Sequence, residues 1–308
     1  MSERKLKNSV EEFLVYIRNV RQLSENTSLG YQNDLKIMEE YLGGDAPLCG
    51  IGTEDLNFCI ANLSSKGRAA SSVNRFIAAV RSFFFYCRKF GYIEKNPALE
   101  VRTVKIPKYV PAFLTHDEID RLCKEPEKNE LLWEKRDKAI FESFYSTGCR
   151  VSELVSLKKS DFDYSRHAAK IVGKGNKERW VYFEKDAQNA IKDYLLDRER
   201  RFRSENVEDS SEFLFVNQNA GPLTSGGVRY ILNRYTGKEG LNRHVSPHAL
   251  RHTFATIMLS SGADIRVVQK FLGHSSISTT QRYTHLTTQQ LIDIYKRCHP
   301  HAGGRTDI

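Results

Sequence analysis

The chain has 308 residues, 40% apolar and 28% charged, the balance of a soluble globular protein long enough for two domains with separate cores. Lys and Arg outnumber Asp and Glu by 47 to 38, and the formal charge of +9 favours a polyanionic partner, nucleic acid being the commonest. Six cysteines with no CxxC pair argue against a disulfide scaffold and predict reduced, mostly buried thiols. No apolar run approaches a membrane span and no secretory leader follows the first charges, so a cytoplasmic location is expected.

The first hundred residues predict four helices. "SVEEFLVYIRNV" spaces Val10, Phe13, Leu14 and Ile17 at helical period, with Ser9 as the expected cap. A second helix follows in "SENTSLGYQNDLKIMEEYL", with Tyr31, Leu35, Met38 and Leu42 on one stripe. Thr53 is the expected cap of a third, "TEDLNFCIANL", ahead of two acids. The fourth, "SSVNRFIAAVRSFFFYCRKF", is the most apolar and stops at Gly91. Four such helices make a small bundle. Pro97, Pro107 and Pro111 then predict an extended linker over about 95–112, which puts the boundary between a 1–105 domain and a 106–308 domain.

The second domain opens with a capped helix at "THDEIDRLC" and a long helical region through "KRDKAIFESFYSTG". In "AAKIVGKGNKERWVYF" two alternating runs flank Gly173-Lys174-Gly175-Asn176, the pattern of a β-hairpin. From Pro247 the chain reads as helix almost to its end. The predicted fold is mainly α with a small antiparallel sheet.

Four segments carry candidate chemistry. Gly148 ends a helix and Arg150 falls in the predicted first turn of the next, where a cation opposes the macrodipole; a local pair with Glu153 is the plain compensation. Lys174 at the hairpin tip is either a solvated lysine or a cation delivered to a phosphate or leaving group. In "SPHALRHTFATIML", Ser246 caps, Pro247 takes the first helical position, and His248, Arg251 and His252 share one face. Two imidazoles at that spacing suit zinc, but Ala249 stands where a zinc protease needs Glu, and Arg251 would set a permanent cation beside the metal. "SGADIRVVQKFLGH" is a helix from Asp264 to Gly273 with His274 beyond its end; Tyr283 follows nine residues later beside Arg282. Taken alone, Tyr283 reads as a core aromatic.

Together these groups suit metal-free phosphoryl transfer. Two guanidiniums neutralise the charge of a five-coordinate phosphorus, a tyrosine flanked by cations attacks, a histidine takes its proton, and a lysine protonates the leaving oxygen.

The order Arg150, Lys174, "HALRH", "LGH" and "RYTH" resembles the tyrosine recombinase (phage integrase) family. The whole chain, from "LSENTSLGYQNDL" to "YTHLTTQQLIDIYKRCHPHA", looks like a Xer-type site-specific recombinase. The resemblance implies an N-terminal four-helix, SAM-like core-binding domain and a mixed α/β, mostly helical catalytic domain. It implies that Arg150 and Arg251 clamp the scissile phosphate and that Tyr283 joins the DNA 3′-phosphate. Lys174 would be the acid for the 5′-hydroxyl, His248 the acid/base near the tyrosine, and His274 a hydrogen-bond partner of the phosphate, with Glu153 in support. His252, His285 and Cys149 keep a structural reading. No metal, ATP or other cofactor is implied, because a phosphotyrosine retains the energy of the broken bond.

The implied partners are double-stranded DNA carrying a recombination site, and three further protomers of the same or a paralogous recombinase, with a DNA translocase as candidate activator. The implied role is resolution of chromosome or plasmid dimers. A mobile-element integrase, a type IB-like topoisomerase and a non-catalytic DNA-binding protein are the alternatives. Arg68, Arg75, Arg81 and Arg88 are candidate DNA contacts; about 100° per residue puts Arg68 near Arg75 and Arg81 near Arg88, on two faces. The tail "TTQQLIDIYKRC" has a Thr287-to-Gln290 capping box and one face of Leu291, Ile294, Tyr295 and Cys298. Its plain reading is packing on its own domain; the resemblance implies docking on a neighbour.

Overall fold

The apolar stripes of the first hundred residues close on one another in a computed structural model of the chain. The structure describes residues 4–106, 113–129, 131–163, 165, 167–173, 177–236, 245–273 and 288–299. By contact density it divides into two units, Met1–Tyr109 and Val110–Ile308.

The first unit holds helices α1 (Leu6–Asn19), α2 (Glu25–Leu42), α3 (Thr53–Ser65) and α4 (Ala70–Lys89). Leu6, Val10, Phe13 and Ile17 form the buried stripe of α1 and meet Leu35 and Met38 of α2, Leu56 and Cys59 of α3, and Phe76, Val80 and Phe83 of α4. Phe13 and Phe83 cross edge to face with centroids 5.6 Å apart, an arrangement that suits the ring quadrupoles.

Two expected caps differ. Helix α1 starts three residues before Ser9, whose buried hydroxyl instead donates to Lys5 O inside the first turn. The free N–H groups of that turn are taken by the chain itself: Leu6 donates to Ala46 O and Lys7 to Gly44 O, both at 2.9 Å. Thr53 is the first helical residue rather than the cap. Gly52 precedes it, and the Gly52 N–H is held by the Asp55 carboxylate at 2.8 Å. Beyond α4 the chain runs extended. Ala98 and Val101 are buried in the same core, and the Asn74 amide brackets the backbone N–H and C=O of Val104 at 2.8 Å each.

In the second unit, α5 (His116–Lys128) is fixed by a capping box between Thr115 and Glu118, and α6 (Glu134–Thr147) is buried along most of its length. A short α7 (Val151–Val155) leads to three antiparallel strands in the order β1 (Phe162–Asp163), β2 (Ala168–Val172), β3 (Glu178–Tyr182). Helices α8 (Lys185–Ser204), α9 (Ser225–Thr236), α10 (Pro247–Ser260), α11 (Ile265–Leu272) and α12 (Thr288–Cys298) follow. In the β2–β3 register, Ala169 faces Val181 and Ile171 faces Arg179. Ala169, Ile171 and Val181 are all buried, so Arg179 lies on the core side of the sheet.

All six cysteines are free; Cys49 is exposed and the other five are buried. Among the described residues no helix is long and apolar enough to cross a membrane.

Candidate active site

Gly148 closes α6 in the left-handed region, φ +58°, and a Cβ there would stand 2.4 Å from Phe254 Cδ1. Only glycine meets both conditions, the positive φ and the close approach of the Phe254 ring. The reversal delivers Arg150 to the start of α7 in two steps. Arg150 occupies the cap position, with extended backbone at φ −75° and ψ 151°, rather than the first turn that its sequence suggests. Glu153 accepts the Arg150 backbone N–H at 2.7 Å and its Nη1 at 2.8 Å. The acid therefore sits where the helix N-terminus favours negative charge, and the cation is held outside.

Arg251 projects from α10, whose start is set by the Ser246 hydroxyl accepting the Ala249 N–H at 3.1 Å and by Pro247 in the first turn. Its guanidinium is buried and donates to Gly148 O at 2.8 Å and to Leu272 O at 2.5 Å. Burial first, and then the like charge of Arg150, push its pKa down to about 10, which still leaves it protonated at neutral pH. His248, one turn earlier on the same helix, is exposed, and His252 is half-buried.

Helix α11 is capped by Asp264, which accepts the Arg266 N–H at 2.7 Å, and closes at Gly273 with φ +64°. Its last three carbonyls each receive a different arginine. Arg179 Nε donates to Phe271 O at 2.8 Å, Arg251 to Leu272 O, and Arg150 Nη2 reaches Gly273 O at 3.5 Å. The C-terminal end of a helix carries partial negative charge and attracts cations, so it gathers all three.

Arg179 was not among the residues singled out from the sequence. It grips Glu153 with two parallel bonds, Nη1–Oε1 at 2.9 Å and Nη2–Oε2 at 2.7 Å. Burial works against ionisation of Glu153, but the bonds from Arg179 and Arg150 outweigh it and hold the carboxyl below its ordinary range. The signal that could have found Arg179 is its register: a permanent cation on the core face of a strand needs a buried partner.

Of the other candidates, Lys174, His274 and Tyr283 lie outside the described residues, as do His285 and Thr287. The chain points that precede Lys174 and His274 are in place. Gly173 closes the hairpin base through its N–H to Lys177 O at 2.8 Å, and Gly273 ends α11. The four arginines of the first unit are not equivalent. Arg75 forks onto the buried Asp34 at 2.8 and 2.9 Å, and Arg81 donates to Val101 O, so both are engaged within their own unit. Arg68, in the turn before α4, and Arg88, in its last turn, are exposed.

In the single chain the tail helix packs on its own unit. Tyr295 and Cys298 are buried, Leu291 and Ile294 lean on the same cluster, and the Tyr295 hydroxyl bonds Ser146 Oγ and O at 2.9 Å each. The His299 ring stacks on Tyr295, centroids 5.0 Å apart.

Around Gly148, Gly273 and Glu153, two guanidiniums, Arg150 and Arg179, share one carboxylate and a third, Arg251, stands close by, which leaves two net positive charges in a largely buried setting. Such a cluster has the charge and the donors to neutralise an anion such as a phosphate.

Comparison with known proteins identifies the family. Residues 112–290 match the phage integrase family and residues 10–89 match the phage integrase N-terminal SAM-like domain. Tyrosine recombinase XerC of Treponema denticola is 42% identical over 300 residues, covering 95% of this chain and 98% of that protein. Tyrosine recombinase XerD of Listeria monocytogenes is 36% identical over 296 residues, covering 95% and 99%. Among solved structures, the Tn1549 transposon integrase in complex with circular intermediate DNA has a TM-score of 0.68 at 20% identity, covering 93% of this chain and 97% of that one. A lambda integrase dimer bound to a core site has 0.69 at 21%, covering 91% and 77%. Those two likenesses show a shared fold, and the near full-length relatives and both family matches show more: the chain belongs to the phage integrase family and is a Xer-type tyrosine recombinase.

Proposed function

We propose that this chain cleaves and rejoins DNA strands at a specific site through a 3′-phosphotyrosyl intermediate, and that it resolves chromosome or plasmid dimers. The observation that carries the reading is the surplus of positive charge formed by Arg150, Arg251 and Arg179 around a single buried carboxylate. In it, Arg150 and Arg251 bind the non-bridging oxygens of the scissile phosphate and stabilise the charge that builds on them. The Tyr283 oxygen attacks phosphorus as the bond to the 5′-oxygen breaks, His248 receives the tyrosine proton, and Lys174 protonates the departing 5′-hydroxyl. His274 hydrogen-bonds the phosphate, and Glu153 orients Arg150.

DNA is the partner, contacted by the basic first unit as well, with Arg68 and Arg88 better placed for it than Arg75 and Arg81. Four protomers, of one recombinase or two, act on two duplexes in the cytoplasm, a DNA translocase is the candidate activator, and the tail helix leaves its own unit to dock on a neighbour.

The test is a nicked suicide substrate carrying Xer-type sites, incubated without divalent metal, for wild type and Tyr283→Phe. A protein–DNA adduct that survives denaturing electrophoresis in wild type and is missing from the Phe variant is expected. Tight DNA binding with an identical adduct, or none, in both proteins would sink the reading.

A further inference from the structure

The catalytic assignment above accounts for Arg150 and Arg251 but leaves the third guanidinium without a task. Arg179 is as much a part of the cluster as they are, with a side chain only 11% exposed. Each Glu153 oxygen receives two N–H groups: Oε1 from Arg150 Nη1 and Arg179 Nη1, Oε2 from the Arg150 backbone and Arg179 Nη2. Those four bonds fill the lone pairs of the carboxylate.

Two glycines are shaped around the same group. A Cβ on Gly173 would stand 3.2 Å from Arg179 Nη1, and one on Gly273 would stand 3.0 Å from that nitrogen and 3.2 Å from Cζ. The guanidinium thus lies against the backbone at the two positions that immediately precede Lys174 and His274.

We propose that Arg179 is a positioning residue for strand cleavage: it takes up the charge and both oxygens of Glu153, so that Arg150 and Arg251 face the phosphate with two net positive charges. The inference rests on the catalytic reading given above. Its logic is charge matching. A phosphodiester carries one negative charge, and its five-coordinate transition state carries two. Two arginines opposed by an uncompensated Glu153 would present one net charge, suited to the ground state; a third arginine restores the match to the transition state. An Arg150–Glu153 pair alone would already satisfy the α7 cap, so the cap does not require Arg179.

The experiment compares wild type, Tyr283→Phe, Arg179→Met, Glu153→Gln and the double variant Arg179→Met with Glu153→Gln. Single-turnover cleavage of the nicked substrate, DNA affinity and thermal unfolding are measured for each. Arg179→Met is expected to slow cleavage about a hundredfold while DNA affinity stays close to wild type. The double variant keeps an acceptor for the Arg150 N–H and restores two net charges, so it is expected to recover most of the lost rate.

Loss of rate in Arg179→Met with no recovery in a folded double variant overturns the proposal, because a packing role would not be repaired by removing a second charge. Cleavage by Arg179→Met at the wild-type rate overturns it as well. If Arg179→Met does not fold, the double variant is judged against Glu153→Gln alone: an equal rate in the two supports the proposal, because the carboxylate that Arg179 compensates is already gone, and a rate about a hundredfold below that of Glu153→Gln overturns it. A wild type without a Tyr283-dependent adduct would condemn the catalytic reading itself and is recognised separately.

Discussion

Two buried carboxylates, one in each unit, are treated in opposite ways. Asp34, 2% exposed, meets one arginine, Arg75, through two bonds, and the charges cancel. Glu153, 3% exposed, meets Arg150 and Arg179 with Arg251 close by, and the charges do not cancel. Balanced pairing is what stability asks of a buried ion. A surplus of cations around the buried Arg251, whose pKa they help push down, is a cost that stability alone does not explain, and it is the feature on which the proposed phosphate site rests.

The contrast is broken most severely at Arg251. Replacing it with Ala should lower single-turnover cleavage by about a thousandfold, with a much smaller change in DNA affinity. Equal losses in both would mean that Arg251 serves binding alone. At Arg75 the opposite pattern is expected. Arg75→Ala strands the Asp34 carboxylate and should cost the first unit about 1–3 kcal/mol in urea unfolding, with cleavage by the folded fraction unchanged.

A third carboxyl sharpens the comparison, because it is buried without an adequate cation. Burial and then the nearby Glu184 and Asp186 push Glu142 up to about 8, with Lys138 pulling the other way, and one of its oxygens has no hydrogen-bond partner among the described residues. Glu184 is raised to about 7 by burial, even though it accepts the Asp186 and Ala187 N–H groups at the start of α8. The folded protein keeps these protons where the unfolded chain has lost them, so their stabilisation is complete below about pH 4.5 and is lost as pH rises towards 8. Glu142→Gln should remove part of that slope and raise stability at pH 8 by on the order of 2 kcal/mol, read from urea midpoints at pH 5 and pH 8. An unchanged slope would assign the protons elsewhere. The smallest effect is expected at Arg88: Arg88→Ala should reduce the dependence of log affinity on log salt by about one contact and leave cleavage at saturating DNA untouched.

Much of this was legible in the chain itself, for a simple reason: local rules act over one turn. The 3.6-residue stripes of α1 to α4, the Thr115 and Ser246 caps, and the closing glycines Gly148 and Gly273 all depend on neighbours a few residues away. The errors fall where the partner is distant. Helix α1 needs no side-chain cap because Ala46 and Gly44 supply the acceptors. A helical wheel places Arg75 and Arg81 on surfaces but does not see Asp34 or Val101 waiting there. Arg179 joins Glu153 across 26 positions and Phe271 across 92, separations that carry no local pattern. The family resemblance could name Arg150 and Arg251, whereas the place of Arg179 beside Glu153 emerges only once the sheet register is known.

The end of α11 has one more consequence. A free arginine must give up about 2 kcal/mol of rotamer freedom to grip an anion. Arg251 gives it up on folding, because Gly148 O and Leu272 O already fix its two arms. In the proposed reaction an arriving phosphate would then meet a preset receptor and need only small adjustments of angle and distance. Capture of the reactive phosphate should therefore carry little entropic penalty at this residue, and the selectivity of the site should lie in shape and charge rather than in induced ordering.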